Sequence, residues 1–253
     1  MTVFYFTATG NCLYVAKQIG GTLYSIPQLM KEKKYKFKDD VIGIVYPCYA
    51  FGIPDIVKKF LKRVKWEAEY SFAITTYGNI SAAALLTMEQ FASKCGIQFD
   101  YMNELLMVDN FLPGYKMEDQ IKKIPTKQIE KNMKQIANDI EKRRIFKPNP
   151  NTLKKAMSFT MGKADRFFIN RNFDRRFIVN NRCTSCKICA KVCPKRNIIV
   201  YARPDFQHNC ECCYACIHMC PENAIHLKSQ RSRVRFRNEN VTLKEIITAN
   251  NQQ

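Results

Sequence analysis

Eight cysteines in the C-terminal third of the chain have the type and spacing to do chemistry. Cys183, Cys186, Cys189 and Cys193 follow C-x2-C-x2-C-x3-C with Pro194 next, and Cys210, Cys213, Cys216 and Cys220 repeat the pattern with Pro221 next. Three thiolates with two residues between them can wrap three corners of an iron–sulfide cube, while the fourth, after a longer gap, points towards a second cube. The spacing predicts one [4Fe–4S] cluster on Cys183, Cys186, Cys189 and Cys220 and another on Cys210, Cys213, Cys216 and Cys193. Each proline turns the chain after the crossed ligand and removes an N–H that would need a partner. Structural zinc more often takes two C-x2-C pairs separated by a longer loop, or adds histidine. Disulfides go with a secreted chain, and MTVFYFTATGN has neither the basic segment nor the cleavage site of a secretory signal. Cys212 falls inside the second run but off its spacing and reads as a small buried or partly exposed thiol.

A second chemical stretch opens the chain. Thr2–Phe6 (TVFYF) has the β-branched and aromatic character of a buried strand, and Leu13–Gly20 (LYVAKQIG) suits a helix with one broad apolar side. Between them lies Thr7-Ala8-Thr9-Gly10-Asn11-Cys12, a hydroxyl-rich turn with one glycine. A strand, such a turn and a helix N-terminus converge N–H groups and a favourable dipole on one point, which suits a phosphate. No lysine follows the glycine and no G-x-G-x-x-G is present, so neither the nucleotide-hydrolysing loop nor the dinucleotide fingerprint is expected here.

The elements that must position these residues alternate. Val41–Tyr46, Tyr70–Thr76 and a segment within Ile97–Val108 read as strands. Asp55–Val64, Ser81–Lys94 and Thr126–Arg143 read as helices, the last with Ile129, Met133, Ile136 and Ile140 on one face. A short strand and a turn around Pro27 are expected in Tyr24–Met30, and Asp109–Pro125 shows no periodicity. Such alternation predicts an open parallel sheet with helices on both faces, whose ligands sit beyond the C-terminal strand ends. Three loops fall there: Thr7–Cys12, Pro47–Pro54 and Thr76–Ile80.

T-A-T-G-N before a helix resembles the FMN phosphate loop of flavodoxins, and the other two loops fall where flavodoxins hold the isoalloxazine. Together with the two cysteine runs, the chain resembles the flavodoxin-fused dicluster ferredoxins of anaerobic bacteria over nearly its whole length. That resemblance implies an α/β flavodoxin-like doubly wound parallel sheet followed by a small α+β bacterial-type dicluster ferredoxin domain. It implies two [4Fe–4S] clusters and FMN as cofactors. Thr7, Thr9, Gly10 and Asn11 would bind the phosphate, with Cys12 closing the loop; Pro47, Tyr49, Phe51, Gly52, Thr76, Tyr77, Gly78 and Asn79 would surround the flavin. Cys12 departs from the pattern, since flavodoxins usually carry Ser or Thr there. A thiol is a poor donor, so one phosphate hydrogen bond worth about 1 kcal/mol is in question. The expected divisions are 1–144 for the FMN-binding domain, 145–175 for a linker and connecting arm, 176–230 for the ferredoxin domain and 231–253 for a basic C-terminal extension.

At 253 residues with 46% hydrophobic content, two folded domains are accommodated and wholesale disorder is excluded. The longest apolar runs fall short of a membrane span, and a cytoplasmic, reducing location is expected. The formal charge of +19 is uneven: Met1–Lys142 carries +4 and Arg143–Gln253 carries +15. Such an excess can steer an acidic protein, grip anionic lipid, bind nucleic acid or simply be solvated. Beside iron–sulfur chemistry, an acidic redox partner protein is the expectation and nucleic acid is not. The arginines and phenylalanines of ADRFFINRNFDRRF read as a connecting arm docked on a neighbouring domain. Electron transfer is the expected function, with no catalytic residue. An FMN-dependent NAD(P)H or small-acceptor reductase is the rival; against it, His208, His218 and His226 all lie outside the sheet domain. An iron–sulfur binding module with the sheet as a docking scaffold is the third reading.

Overall fold

Short runs of Val, Ile, Phe and Tyr build the first domain. The strands β1 (Thr2–Tyr5), β2 (Thr22–Ser25), β4 (Val41–Pro47), β6 (Tyr70–Tyr77) and β7 (Tyr101–Leu106) form one parallel sheet in the order β2-β1-β4-β6-β7. Helices flank it: α1 (Asn11–Ile19) packs with α6 (Ile129–Glu141), and α2 (Ile26–Glu32) packs with α3 (Asp55–Leu61). That strand order, reversing beside β1, is the flavodoxin-like doubly wound arrangement. The computed structural model describes residues 1–149, 151–152 and 172–253. Of the linker and connecting arm expected over 145–175, residues 150 and 153–171 lie outside the described residues.

The sheet is buried on both faces, which is why β4 reads as a continuous apolar run rather than an alternating one. Gly43 of β4 lies opposite Phe72 of β6 in the register, and the Phe72 ring occupies the space a side chain at Gly43 would need, 2.0 Å from a built Cβ. A small parallel pair, β3 (Lys36–Lys38) with β5 (Lys65–Glu67), brings Phe37 and Trp66 onto Phe4 at ring-centroid distances of 4.7 and 5.6 Å. Two local expectations need correction. Pro27 sits in the first turn of α2 instead of in a turn, because its missing N–H costs nothing there. The segment expected to be irregular contains α5 (Met117–Lys122), which is too short to display a helical period.

The cysteine-rich part is a pseudo-symmetric pair of small units. One holds α7 (Ile188–Lys191) and the antiparallel hairpin β9 (Ile198–Val200) with β10 (Pro204–Phe206). The other holds α8 (Ala215–His218) and the pair β8 (Phe177–Val179) with β11 (Ile225–Leu227). The C-terminal extension folds back. Its helix α9 (Leu243–Asn250) packs on α2, and Asn250 donates to the Thr7 carbonyl at 2.9 Å. Among the described residues no helix is long and apolar enough to cross a membrane.

Candidate cofactor cavities

The cysteines gather as two crossed sets. One small cavity is lined by Cys183, Cys186, Cys189 and Cys220, the other by Cys193, Cys210, Cys213 and Cys216. Helices α7 and α8 each carry the third cysteine of a run and turn the fourth towards the opposite cavity. Among the described residues no three His, Cys, Asp or Glu side chains close around one point as a single ion requires; each set instead rings a void, as a body of several atoms requires. Backbone N–H groups already point at sulfur in matching places. Asn197 N donates to Cys193 Sγ at 3.3 Å and Ala224 N to Cys220 Sγ at 3.2 Å, each four residues beyond its cysteine. Donors of this kind favour thiolate ligands and help set the potential of an iron–sulfur centre.

A larger cavity of about 490 Å³ opens at the C-terminal ends of β1, β4 and β6, within the range of small-ligand sites. Thr7, Thr9, Asn11, Cys12, Pro47, Tyr49, Phe51, Thr76, Tyr77 and Gly78 all line it. Gly10, Gly52 and Asn79 do not. Gly10 is covered by Asn238 and Val241 of the extension, while Asn79 stands behind the wall and donates to Asp109, which lines it, at 2.8 Å. Gly52 closes a tight bridge with Tyr49, each N–H meeting the other's carbonyl.

The phosphate-type loop is held from several sides. Gly10 N donates to Thr7 Oγ1 at 3.1 Å and Asn110 Nδ2 to Thr9 Oγ1 at 2.7 Å. Both hydroxyls accept in these bonds, so each keeps its own proton for a ligand. Asn11 donates to the Val108 carbonyl and accepts from Asn238 Nδ2, while Asn238 N donates to the Thr9 carbonyl at 2.8 Å. Cys12 lies 3.2 Å from Thr76 Oγ1. Burial pushes its thiol up to about 12, offset in part by that hydrogen bond, so it stays neutral. Tyr49 buries its hydroxyl without a hydrogen-bond partner among the described residues. Burial first, then the neighbouring Cys213 sulfur and Glu211 carboxylate, hold its pKa well above the ordinary tyrosine value. The Thr7 and Thr9 hydroxyls, on the wall of a cavity this size, fit a polar ligand group there.

Sequence reasoning missed part of this wall. Asn110, Asp109 and Tyr115 come from the segment that lacked periodicity, and Phe173, Arg176, Cys212, Tyr214 and Ser229 come from the cysteine-rich part. No local pattern marks such residues, because they meet the sheet only through tertiary packing. The two parts also share polar contacts. Glu211, between Cys210 and Cys213, accepts from Ile56 N at the start of α3 at 3.0 Å; Lys195 lies 3.6 Å from Glu211 and 3.2 Å from Asp55. Burial raises the Glu211 carboxyl to about 7 against the opposing pull of Lys195. His218 is buried and accepts at Nδ1 from Phe236 N, which leaves Nε2–H to donate to the Asn110 carbonyl at 3.0 Å.

Residues 157–239 match the family of the 4Fe-4S dicluster domain. The match covers about a third of the chain and includes both cysteine runs. A crystal structure of a candidate flavoprotein from Bacteroides uniformis is similar over 48% of this chain and 95% of its own, at 18% identity and a TM-score of 0.32. No curated protein matches the chain.

Proposed function

We propose that the chain is an electron-transfer flavo-iron–sulfur protein that carries two [4Fe–4S] clusters and one FMN and passes single electrons to or from a partner redox protein in the cytoplasm. One observation carries the reading. The 490 Å³ cavity at the strand ends has walls from both halves of the chain, and Cys212, on that wall, is bonded in sequence to Cys213 of the second cysteine set. A ligand in the cavity therefore lies beside the second set of iron ligands. Thr7, Thr9 and Asn11, with the first-turn N–H groups of α1, would hold the FMN phosphate. Tyr49, Tyr77 and Tyr214 would border the ring system, and Arg176 would supply a cation at the mouth. Bound there, FMN exchanges one or two electrons and each cluster exchanges one. The protein's part is to fix spacing, exclude water and tune polarity.

Cofactor content after anaerobic purification tests the reading. About eight irons, as much acid-labile sulfide and about one FMN per chain are expected. Full iron with no flavin, even after incubation with FMN, would reduce the sheet domain to a docking scaffold; absence of iron would remove the proposal altogether.

A further inference from the structure

The two cysteine cavities differ sharply in what covers them. Cys193, Cys213 and Cys216 are each less than 10% exposed, and Cys213, with Val192, Ala215 and Met219, joins the hydrophobic core of the sheet domain. Asp55, Ile56, Glu211 and Lys195 close that side with the polar contacts described above. Around the other cavity Cys186 is exposed and Cys183 and Cys220 are half-buried. One set is thus the inner pair of walls against the flavin-type cavity, and the other faces water.

Around the outer cavity cations outnumber carboxylates. Arg182, Lys187 and Arg203 are exposed, and among the described residues none forms an ion pair with a carboxylate. They are positioned rather than loose. Arg182 Nη2 donates to the Asn223 carbonyl at 3.1 Å, Arg203 Nη2 donates to Asn181 Oδ1 at 2.8 Å, and Lys187 lines the cavity itself. Ser185 donates to the Ala202 carbonyl, which brings the turn bearing Tyr201 and Arg203 beside the Cys183–Cys186 loop. Tyr201 is 77% exposed. Among the described residues Glu222 is the one carboxylate on the cavity wall, and Asp205 is exposed two residues beyond Arg203. Arginine and an exposed aromatic residue around a polar rim are the composition of a protein-binding patch.

We infer that the surface around Cys183 and Cys186, carrying Arg182, Lys187, Arg203 and Tyr201, is the docking port for an acidic redox protein, and that electrons cross between partner and chain there rather than at the flavin cavity. The inference rests on the proposed two-cluster reading. The exchange is one electron: the reduced partner would lose it, the iron of the centre that the outer thiolates would hold would gain it, and no bond is made or broken. The inner set then lies between the port and the flavin cavity. Positive charge at the port raises the encounter rate with an acidic protein and orients it. It also favours added electrons on the outer centre.

The test is stopped-flow oxidation of the chemically reduced holoprotein by oxidised rubredoxin, a small acidic iron protein, with iron and flavin content measured on every sample. The R182E/K187E/R203E variant is expected to react about tenfold more slowly at low ionic strength and to lose most of the salt dependence. With hexaammineruthenium(III), a cationic oxidant, the same variant should react faster than the parent. A control, K36E/K65E/K134E, changes net charge equally on exposed residues of the sheet domain and should retain the rubredoxin rate within about twofold. The neutral variant R182Q/K187Q/R203Q, the less disruptive change, should fall between parent and charge reversal. Equal losses in the two charge-reversed variants, or no loss in either, would overturn the port while leaving the two-cluster reading intact. A holoprotein without iron would overturn that reading and the port with it.

Discussion

Replacing Gly10 by alanine probes the contact between the C-terminal extension and the phosphate-type loop. Gly10 has φ +103° and ψ −18°, and a Cβ there would lie 2.9 Å from Asn238 Cβ and 3.0 Å from Val241 Cβ. Placing an L-residue in this left-handed region costs about 1–2 kcal/mol. Both colliding atoms are Cβ atoms fixed to backbone, so relief requires a backbone shift, and overpacking of that kind adds about 1–3 kcal/mol. A total of about 2–5 kcal/mol is large against a typical stability of about 5–15 kcal/mol. At roughly 2–4 °C per kcal/mol for a chain of this size, the unfolding midpoint should fall on the order of 10 °C. The assay is anaerobic thermal unfolding of the loaded protein by circular dichroism, alone and in combination with Asn238→Gly, which removes one of the two colliding atoms. That single change also loses the Asn238 bonds to Asn11 and from Asn240, but a double-mutant cycle cancels this loss. The pair should show a favourable coupling of about 1 kcal/mol, with the backbone cost of Gly10→Ala left in place. A cost below about 1 kcal/mol, or no coupling, would refute the view that the extension is packed onto this loop.

Further changes have defined outcomes. Cys220→Ser should remove the centre bordered by Cys183, Cys186 and Cys189, and Cys193→Ser the one bordered by Cys210, Cys213 and Cys216; each should leave about half the iron, with electron paramagnetic resonance reporting which centre remains. Gly43→Ala puts a methyl 2.0 Å from the Phe72 ring. It should destabilise the sheet domain by about 1–3 kcal/mol, read by denaturant titration, with Phe72→Leu relieving part of the loss. Thr242→Ala removes the capping box of α9, in which Glu245 N donates to Thr242 Oγ1 at 3.2 Å and Thr242 N donates to Glu245 Oε2 at 2.7 Å. About 1 kcal/mol is expected, seen as faster amide exchange over residues 243–250. Lys17, with the Thr242 N–H and hydroxyl, holds Glu245 at about 2. Because that folded pKa lies below the ordinary glutamate value of 4.5, the anchoring is complete above about 4.5 and falls away as pH drops towards 2. Protection factors in α9, corrected for the intrinsic fall of amide exchange with acid, should therefore drop over that window in the parent and change little in Glu245→Gln.

The sequence carried the chemistry further than it carried the architecture of the cavity. The two C-x2-C-x2-C-x3-C runs were readable because most of each pattern lies within eleven residues, and the two small cavities are lined by three cysteines of one run and the fourth of the other. The strands β4 and β6 were readable because burial on both faces demands uninterrupted apolar runs. The α5 segment was not, since six residues cannot establish a period of 3.6. Cys12 marked a departure in the phosphate loop, but its bond to Thr76 depends on a neighbouring strand that no local pattern connects to it. Likewise Asn110, Arg176 and Tyr214 reach the large cavity only after distant segments have packed, and nothing in their own neighbourhoods announces it.

The bond from Asn250 to the Thr7 carbonyl joins residues separated by 243 positions. During synthesis the first strand and its loop leave the ribosome long before α9 exists, at about 5–20 residues per second. The loop therefore waits, on the order of ten seconds or more, for the segment that covers Gly10 and secures Thr7 and Thr9. A contact of such range closes slowly, because the chain must give up its loop-closure entropy before the contact rewards it. Completion of the loop is thus a late event in biogenesis, and it follows emergence of all eight cluster cysteines. The geometry orders assembly in time: the eight thiols emerge before the large cavity at the strand ends acquires its final form.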